Sequence, residues 1–102
     1  LARIEAAWRA EPQSASIADS LGWAYFLTGR IDEAVPLLEL AQRGEPGNAV
    51  IVEHLGDAYW QAGRRFQARY TWRAAALLAD ADMAARIEAK LRDGLSAATT
   101  AP

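Results

Sequence analysis

A stretch of 34 residues matches the 34 that follow it, and this self-similarity constrains the fold more than any other feature of the chain. Residues 15–48 align without a gap on residues 49–82. The identical pairs are Ala15/Ala49, Ile17/Ile51, Leu21/Leu55, Gly22/Gly56, Ala24/Ala58, Tyr25/Tyr59, Gly29/Gly63, Arg30/Arg64, Ala34/Ala68 and Ala41/Ala75. Alanine matches carry little weight in an alanine-rich chain; the Leu-Gly, Tyr and Gly-Arg matches carry the argument. A repeat of this period is a supersecondary unit that cannot bury its apolar face alone and buries it by stacking on its neighbours.

Within each unit the apolar spacing is helical. Ile17, Leu21, Ala24, Tyr25 and Thr28 fall on one face of a first helix. Gly29 ends that helix, where a positive φ is often needed. Ile31-Asp32-Glu33 opens a second helix, with acids where the helix dipole favours them. Val35, Leu38 and Ala41-Gln42 continue it, and Gly44, Pro46 and Gly47 stop it. Small residues at Gly22, Ala34 and Ala41 let the two helices approach closely. The expected fold class is therefore all-α, built of helix–turn–helix units.

The order Leu21-Gly22, Tyr25, Gly29, Ala34, Ala41, Pro46 resembles the tetratricopeptide-repeat pattern, and Leu55-Gly56, Tyr59, Gly63, Ala68 and Ala75 repeat it. The second unit departs at Asp80, where the family has proline. The aromatic of the second helix is Leu38 in one unit and Trp72 in the other, and the large aromatic near the start of the first helix is replaced by Ala18 and Val52. The resemblance implies a right-handed superhelix of stacked helix pairs, whose first helices line a concave groove that holds extended peptides or helices. By the same pattern Ile4, Ala7, Trp8 and Glu11-Pro12 are similar to the second helix of a preceding repeat. The chain thus reads as a C-terminal fragment of a bacterial member: 1–14 a truncated repeat, 15–48 and 49–82 full repeats, 83–95 a capping helix within a domain spanning 1–95, and 96–102 a disordered tail. A third repeat needs Leu-Gly at 89 and 90, where Ala89 and Lys90 stand. Met83, Ile87 and Leu91 give the capping helix its apolar side, with Arg86, Lys90, Arg92 and Asp93 elsewhere.

Spacing places the groove. The core side of the first helix is Ile17, Leu21 and Tyr25; the displaced side carries Ser16, Asp19, Ser20, Trp23, Phe26 and Leu27. The equivalents in the next unit are Val50, Glu53, His54, Asp57, Trp60 and Gln61. This face is acidic and aromatic, and it suits a partner segment with basic and apolar side chains. Phe26 and Trp60 equally suit packing between repeats. Trp23, whose counterpart is Asp57, is expected to line the groove or to touch the preceding repeat. One tetratricopeptide subfamily clamps a partner's C-terminal carboxylate with cations on this face; Asp19, Ser20, Trp23, Glu53, His54 and Asp57 offer none, so no such clamp is implied.

Composition narrows the function further. The net charge is −2 with a pI near 5.3, against nucleic acid as the main partner, which needs a basic surface. There is no cysteine, which excludes disulfides and thiolate chemistry. No apolar run approaches the roughly 20 residues of a membrane span, so no membrane insertion is expected. Arg65, Arg69 and Arg73 form a stripe on the second helix of the second unit, read as a solvated face that pairs with Asp80, Asp82 or the capping helix, or as a basic contact. His54, the single histidine, has Glu53 beside it and Asp57 one turn away, but the spacing marks neither a metal site nor a catalytic dyad. The reading is a binding scaffold and not an enzyme, with no cofactor or metal. The alternatives are self-association, as a homodimer, through Trp8, Trp23 or the Met83–Leu91 helix, and a substrate-recruiting part of a larger enzyme.

Overall fold

The computed structural model describes residues 1–95, and among them every regular element is a helix. The helices are α1 (Ala2–Ala10), α2 (Ala15–Leu27), α3 (Ile31–Gly44), α4 (Ala49–Gln61), α5 (Arg65–Leu78) and α6 (Ala81–Asp93). Helices α2 and α3 fold back on each other, as do α4 and α5. The second pair stacks on the first through α3 and α2, α1 packs beside α2, and α6 packs on α5. The tail expected to be disordered, 96–102, lies outside the described residues.

Local chemistry explains where each helix begins and ends. Ser14 caps α2 by accepting from Ile17 N–H at 3.2 Å, and Asn48 caps α4 by accepting from Val50 and Ile51 N–H. Such caps contribute about 1 kcal/mol each. At the other end Gly29 and Gly63 both take φ +82°, which lets the chain reverse. Arg30 N–H then donates to Tyr25 C=O at 2.8 Å and Arg64 N–H to Tyr59 C=O at 2.9 Å. These six-to-one bonds satisfy carbonyls that the helix leaves open.

The helices of each pair meet at the repeated glycine. A Cβ on Gly22 would stand 2.8 Å from Leu38 Cγ, and one on Gly56 would lie inside the Trp72 indole. Leu38 and Trp72 occupy the same position of their helices and are fully buried. They belong to one apolar cluster that includes Leu21, Tyr25, Leu55, Tyr59 and Ile87 and runs through the stack. Adjacent pairs are joined by a second repeated contact. Tyr25 Oη donates to Glu5 Oε2 and Tyr59 Oη to Glu39 Oε2, each at 2.6 Å. Glu11 and Glu45 end α1 and α3 with nearly the same backbone, φ −134°, ψ 71° and φ −138°, ψ 70°. Helix α1 therefore stands to α2 as α3 stands to α4.

The third step of the stack departs from the expected register. Four residues, Glu45–Asn48, link α3 to α4, but only Ala79 and Asp80 link α5 to α6. Asp80 caps α6 directly, accepting from Met83 N–H at 2.9 Å. Helix α6 thus starts at Ala81, two residues before the expected boundary at 83, and the unit expected to run to 82 ends sooner. Met83, Ile87 and Leu91 take the places that Ile51, Leu55 and Tyr59 hold in α4. The positions of Leu55 and Gly56 therefore fall on Ile87 and Glu88, not on Ala89 and Lys90. Glu88 stands at the glycine position and is exposed, with no described helix over it.

Candidate functional site

The side chains assigned to the groove come from α2 and α4, which touch directly. Ser16, Ser20, Leu27, Val50 and Gln61 are exposed. Between them Asp19 Oδ1 meets His54 Nδ1 at 2.8 Å, both half-buried. The Trp23 indole lies between two rings, 3.9 Å from His54 at 14° and 4.5 Å from Phe26 at 10°. Trp23 is half-buried, held between Phe26 of its own helix and His54 of α4. The plate Phe26–Trp23–His54 therefore joins α2 to α4 at the same place as the Asp19 bond.

Two of the aromatic anchors expected in the groove are packed. Phe26 is 6% exposed and Trp60 9%. Trp60 stacks on Trp72 at 5.5 Å, carries Arg65 and Arg69 over its ring, and is pressed by Gly94, where a Cβ would collide with it. Both side chains are covered by the fold and are not open anchors on that face.

The expected acidity is also differently placed. Glu53 and Asp57 are buried beneath α6. Arg86 grips Glu53 with a two-pronged fork, Nε to Oε2 at 3.0 Å and Nη2 to Oε1 at 2.8 Å. Lys90 Nζ donates to Glu53 Oε2 at 2.7 Å and to both Asp57 oxygens at 3.0 Å, and Trp72 Nε1 donates to Asp57 Oδ1 at 2.9 Å. Two carboxylates thus face two cations, and no buried side-chain polar atom among the described residues lacks a partner. Burial pushes the Glu53 carboxyl up, but the bonds from Arg86 and Lys90 outweigh it and hold the group below its ordinary range. At Asp57 burial wins over the bonds from Lys90 and Trp72, so its carboxyl is raised. The two acids answer α6, so the face is closer to neutral than its sequence implied.

One contact recurs here as well. Asp19 and Glu53 are the fifth residues of α2 and α4; His54 and Arg86 are the sixth residues of α4 and α6. Each carboxylate reaches the next first helix at the same point, so the bond marks the step between units.

Lys90 and Arg86 were not among the expected site residues. A signal was present: Lys90 lies seven residues after Met83, about 20° away on a helical wheel, so the chain's single lysine sits within the apolar stripe of α6. Of the arginine stripe, Arg69 Nε donates to Leu91 C=O at 3.3 Å, which ties α5 to the end of α6, while Arg73 is exposed. Among the described residues no three His, Cys, Asp or Glu side chains come together as metal ligands, and no helix is long and apolar enough to cross a membrane. A scan against protein-family models and a search of the curated proteins found no match to this chain.

Proposed function

We propose that this chain is a protein-binding module of the tetratricopeptide kind, a right-handed stack of helix pairs that holds a partner segment against the face of α2 and α4. The observation that carries the reading is the recurrence of whole contacts at the 34-residue spacing: the Gly29 and Gly63 turns, the Gly22–Leu38 and Gly56–Trp72 seats, and the Tyr25–Glu5 and Tyr59–Glu39 bonds. A unit that repeats its contacts with its neighbours makes an extended, regular surface, the form that suits a long partner segment.

The burial of Glu53 and Asp57 refines the partner. Leu27 and Val50 offer apolar contact, Ser16, Ser20 and Gln61 offer hydrogen bonds, and Asp19 is the carboxylate within reach of a basic side chain. The partner is an apolar segment with an isolated basic residue rather than a strongly basic one. Selection from a displayed random-peptide library tests this, with counter-selection on a Ser20→Arg/Leu27→Asp variant. Enrichment of apolar peptides carrying one Lys or Arg, lost on the variant, supports the reading. Equal enrichment on both proteins, or none, contradicts it.

A further inference from the structure

Helix α5 presents an apolar row to solvent that the fold does not require. Phe66 is 84% exposed, Tyr70 69% and Leu77 89%. They fall within about 40° of one another around the helix and span about 16 Å along it. The sister helix α3 shows what the fold asks of these positions. Asp32, Pro36 and Arg43 stand there, all exposed. Since polar residues and a proline serve in one unit, neither the packing nor the helix accounts for two aromatics and a leucine in the other. Exposed apolar side chains that share one face mark an interaction site.

Beside the row lies an open cleft of about 450 Å³, walled by Phe66 and Tyr70 with Gln42 across from them. Its floor is the buried apolar trio Val52, Leu55 and Tyr59. Charge says what fits. With its cap, α5 carries Arg64, Arg65, Arg69 and Arg73 and no acid. None of the four forms an ion pair among the described residues. Arg64 lies over the Tyr59 ring, and Arg65 and Arg69 lie over Trp60, which holds three guanidinium groups in place. In a chain of net charge −2 this is a local basic face.

We infer that the α5 row and its cleft dock an acidic amphipathic helix of a partner protein, its aliphatic side chains on Phe66, Tyr70 and Leu77 and its flanking Asp or Glu on Arg73 and Arg69. The site lies on a second helix, apart from the α2–α4 face, and does not depend on the function proposed for that face. A second copy of this chain fits less well, because a two-fold contact along the row sets Arg73 against the partner copy's own arginines. Single-stranded nucleic acid could stack on the aromatics, but the aliphatic end of the row and the apolar floor of the cleft favour a protein side chain.

The test uses the full chain and two labelled synthetic helices. Both carry leucines at i, i+4, i+7 and i+11; glutamates flank them in one peptide and lysines in the other. Fluorescence anisotropy is expected to show saturable binding of the glutamate peptide and none of the lysine peptide. Leu77→Asp should weaken binding by about tenfold or more, equivalent to about 1.4 kcal/mol. Arg73→Glu should weaken the glutamate peptide and admit the lysine peptide. Arg3→Ala, which removes an exposed cation on α1, should leave binding unchanged. Leu77 and Arg73 are exposed, so circular dichroism of these variants should match the native chain. No binding of the glutamate peptide overturns the inference, as does binding indifferent to Leu77→Asp. So does a dimer in sedimentation that Leu77→Asp dissolves, or tighter binding of a thymidine oligonucleotide to the same row.

Discussion

Replacing Lys90 by methionine should unseat α6 more than any other single change of similar size. The ammonium is buried and donates to three carboxylate oxygens at 2.7, 3.0 and 3.0 Å. Methionine keeps most of the apolar stem of the lysine, so the loss is electrostatic rather than a cavity. Glu53 keeps the Arg86 fork, whereas Asp57 keeps only Trp72 Nε1. A buried carboxylate stripped of its cation costs about 3–5 kcal/mol. Asp57 is raised already and can relieve part of that cost by taking up a proton. A carboxyl raised in the folded state stabilises the fold at low pH and loses that contribution as pH rises through its folded value. The penalty of Lys90→Met should therefore be larger at about pH 8 than at about pH 5. Adding Asp57→Asn, which leaves an oxygen for the Trp72 bond, should recover at least about 2 kcal/mol, the signature of a coupled pair. Urea unfolding followed by circular dichroism and tryptophan fluorescence measures all three proteins. A loss below about 1 kcal/mol, as for an exposed pair, or a double variant whose losses simply add, would refute the reasoning.

Other consequences are as direct. Gly56→Ala should destabilise by about 1–3 kcal/mol through overpacking against the rigid Trp72 indole, and more than Gly22→Ala, where the flexible Leu38 can move; a gain in melting temperature at Gly56 would contradict the packing. Pro36 interrupts the bonding of α3 while exposed, at a position where α5 carries Tyr70, so Pro36→Ala should raise stability by about 1–3 kcal/mol, and an unchanged urea midpoint would count against it. Burial and the bond to Glu39 push the Tyr59 hydroxyl up to about 12; it stabilises the fold below the ordinary tyrosine value and loses that contribution as pH rises through about 12. An ultraviolet titration should show its ionisation as a late step that Tyr59→Phe removes.

The repeat was legible because its physical demands are local. A helix needs its stop at Gly29 and Gly63, and two helices need room at Gly22 and Gly56. Register at α6 was harder to read. Asp80 looked like a missing proline at the end of one unit, whereas it is the first residue of the next helix's cap. The acids of the groove were legible as a face but not as a contact. Glu53 and Asp57 lie on the side of α4 that spacing assigns to them, yet their cationic partners stand 33 to 37 residues later on α6, whose cations spacing sets apart from its apolar side. Sequence spacing gives the direction of a side chain; what lies in that direction depends on the two residues missing from the α5–α6 link. The exposed row on α5 stayed hidden for a related reason. Phe66, Tyr70 and Leu77 fit the hydrophobic quota of any helix, and only the exposure of their α3 counterparts sets them apart.

The most direct test of the account is the environment of the Trp72 indole N–H in the nuclear magnetic resonance spectrum of the full chain. That proton sits where Gly56, Asp57 and Lys90 converge, so it reports the helix seat and the closure by α6 together. Slow exchange with solvent and Overhauser contacts to the Asp57 β and Lys90 ε protons are expected. Rapid exchange without those contacts would mean that α6 does not lie on α4, that Glu53 and Asp57 face solvent, and that the face of the first helices is acidic after all.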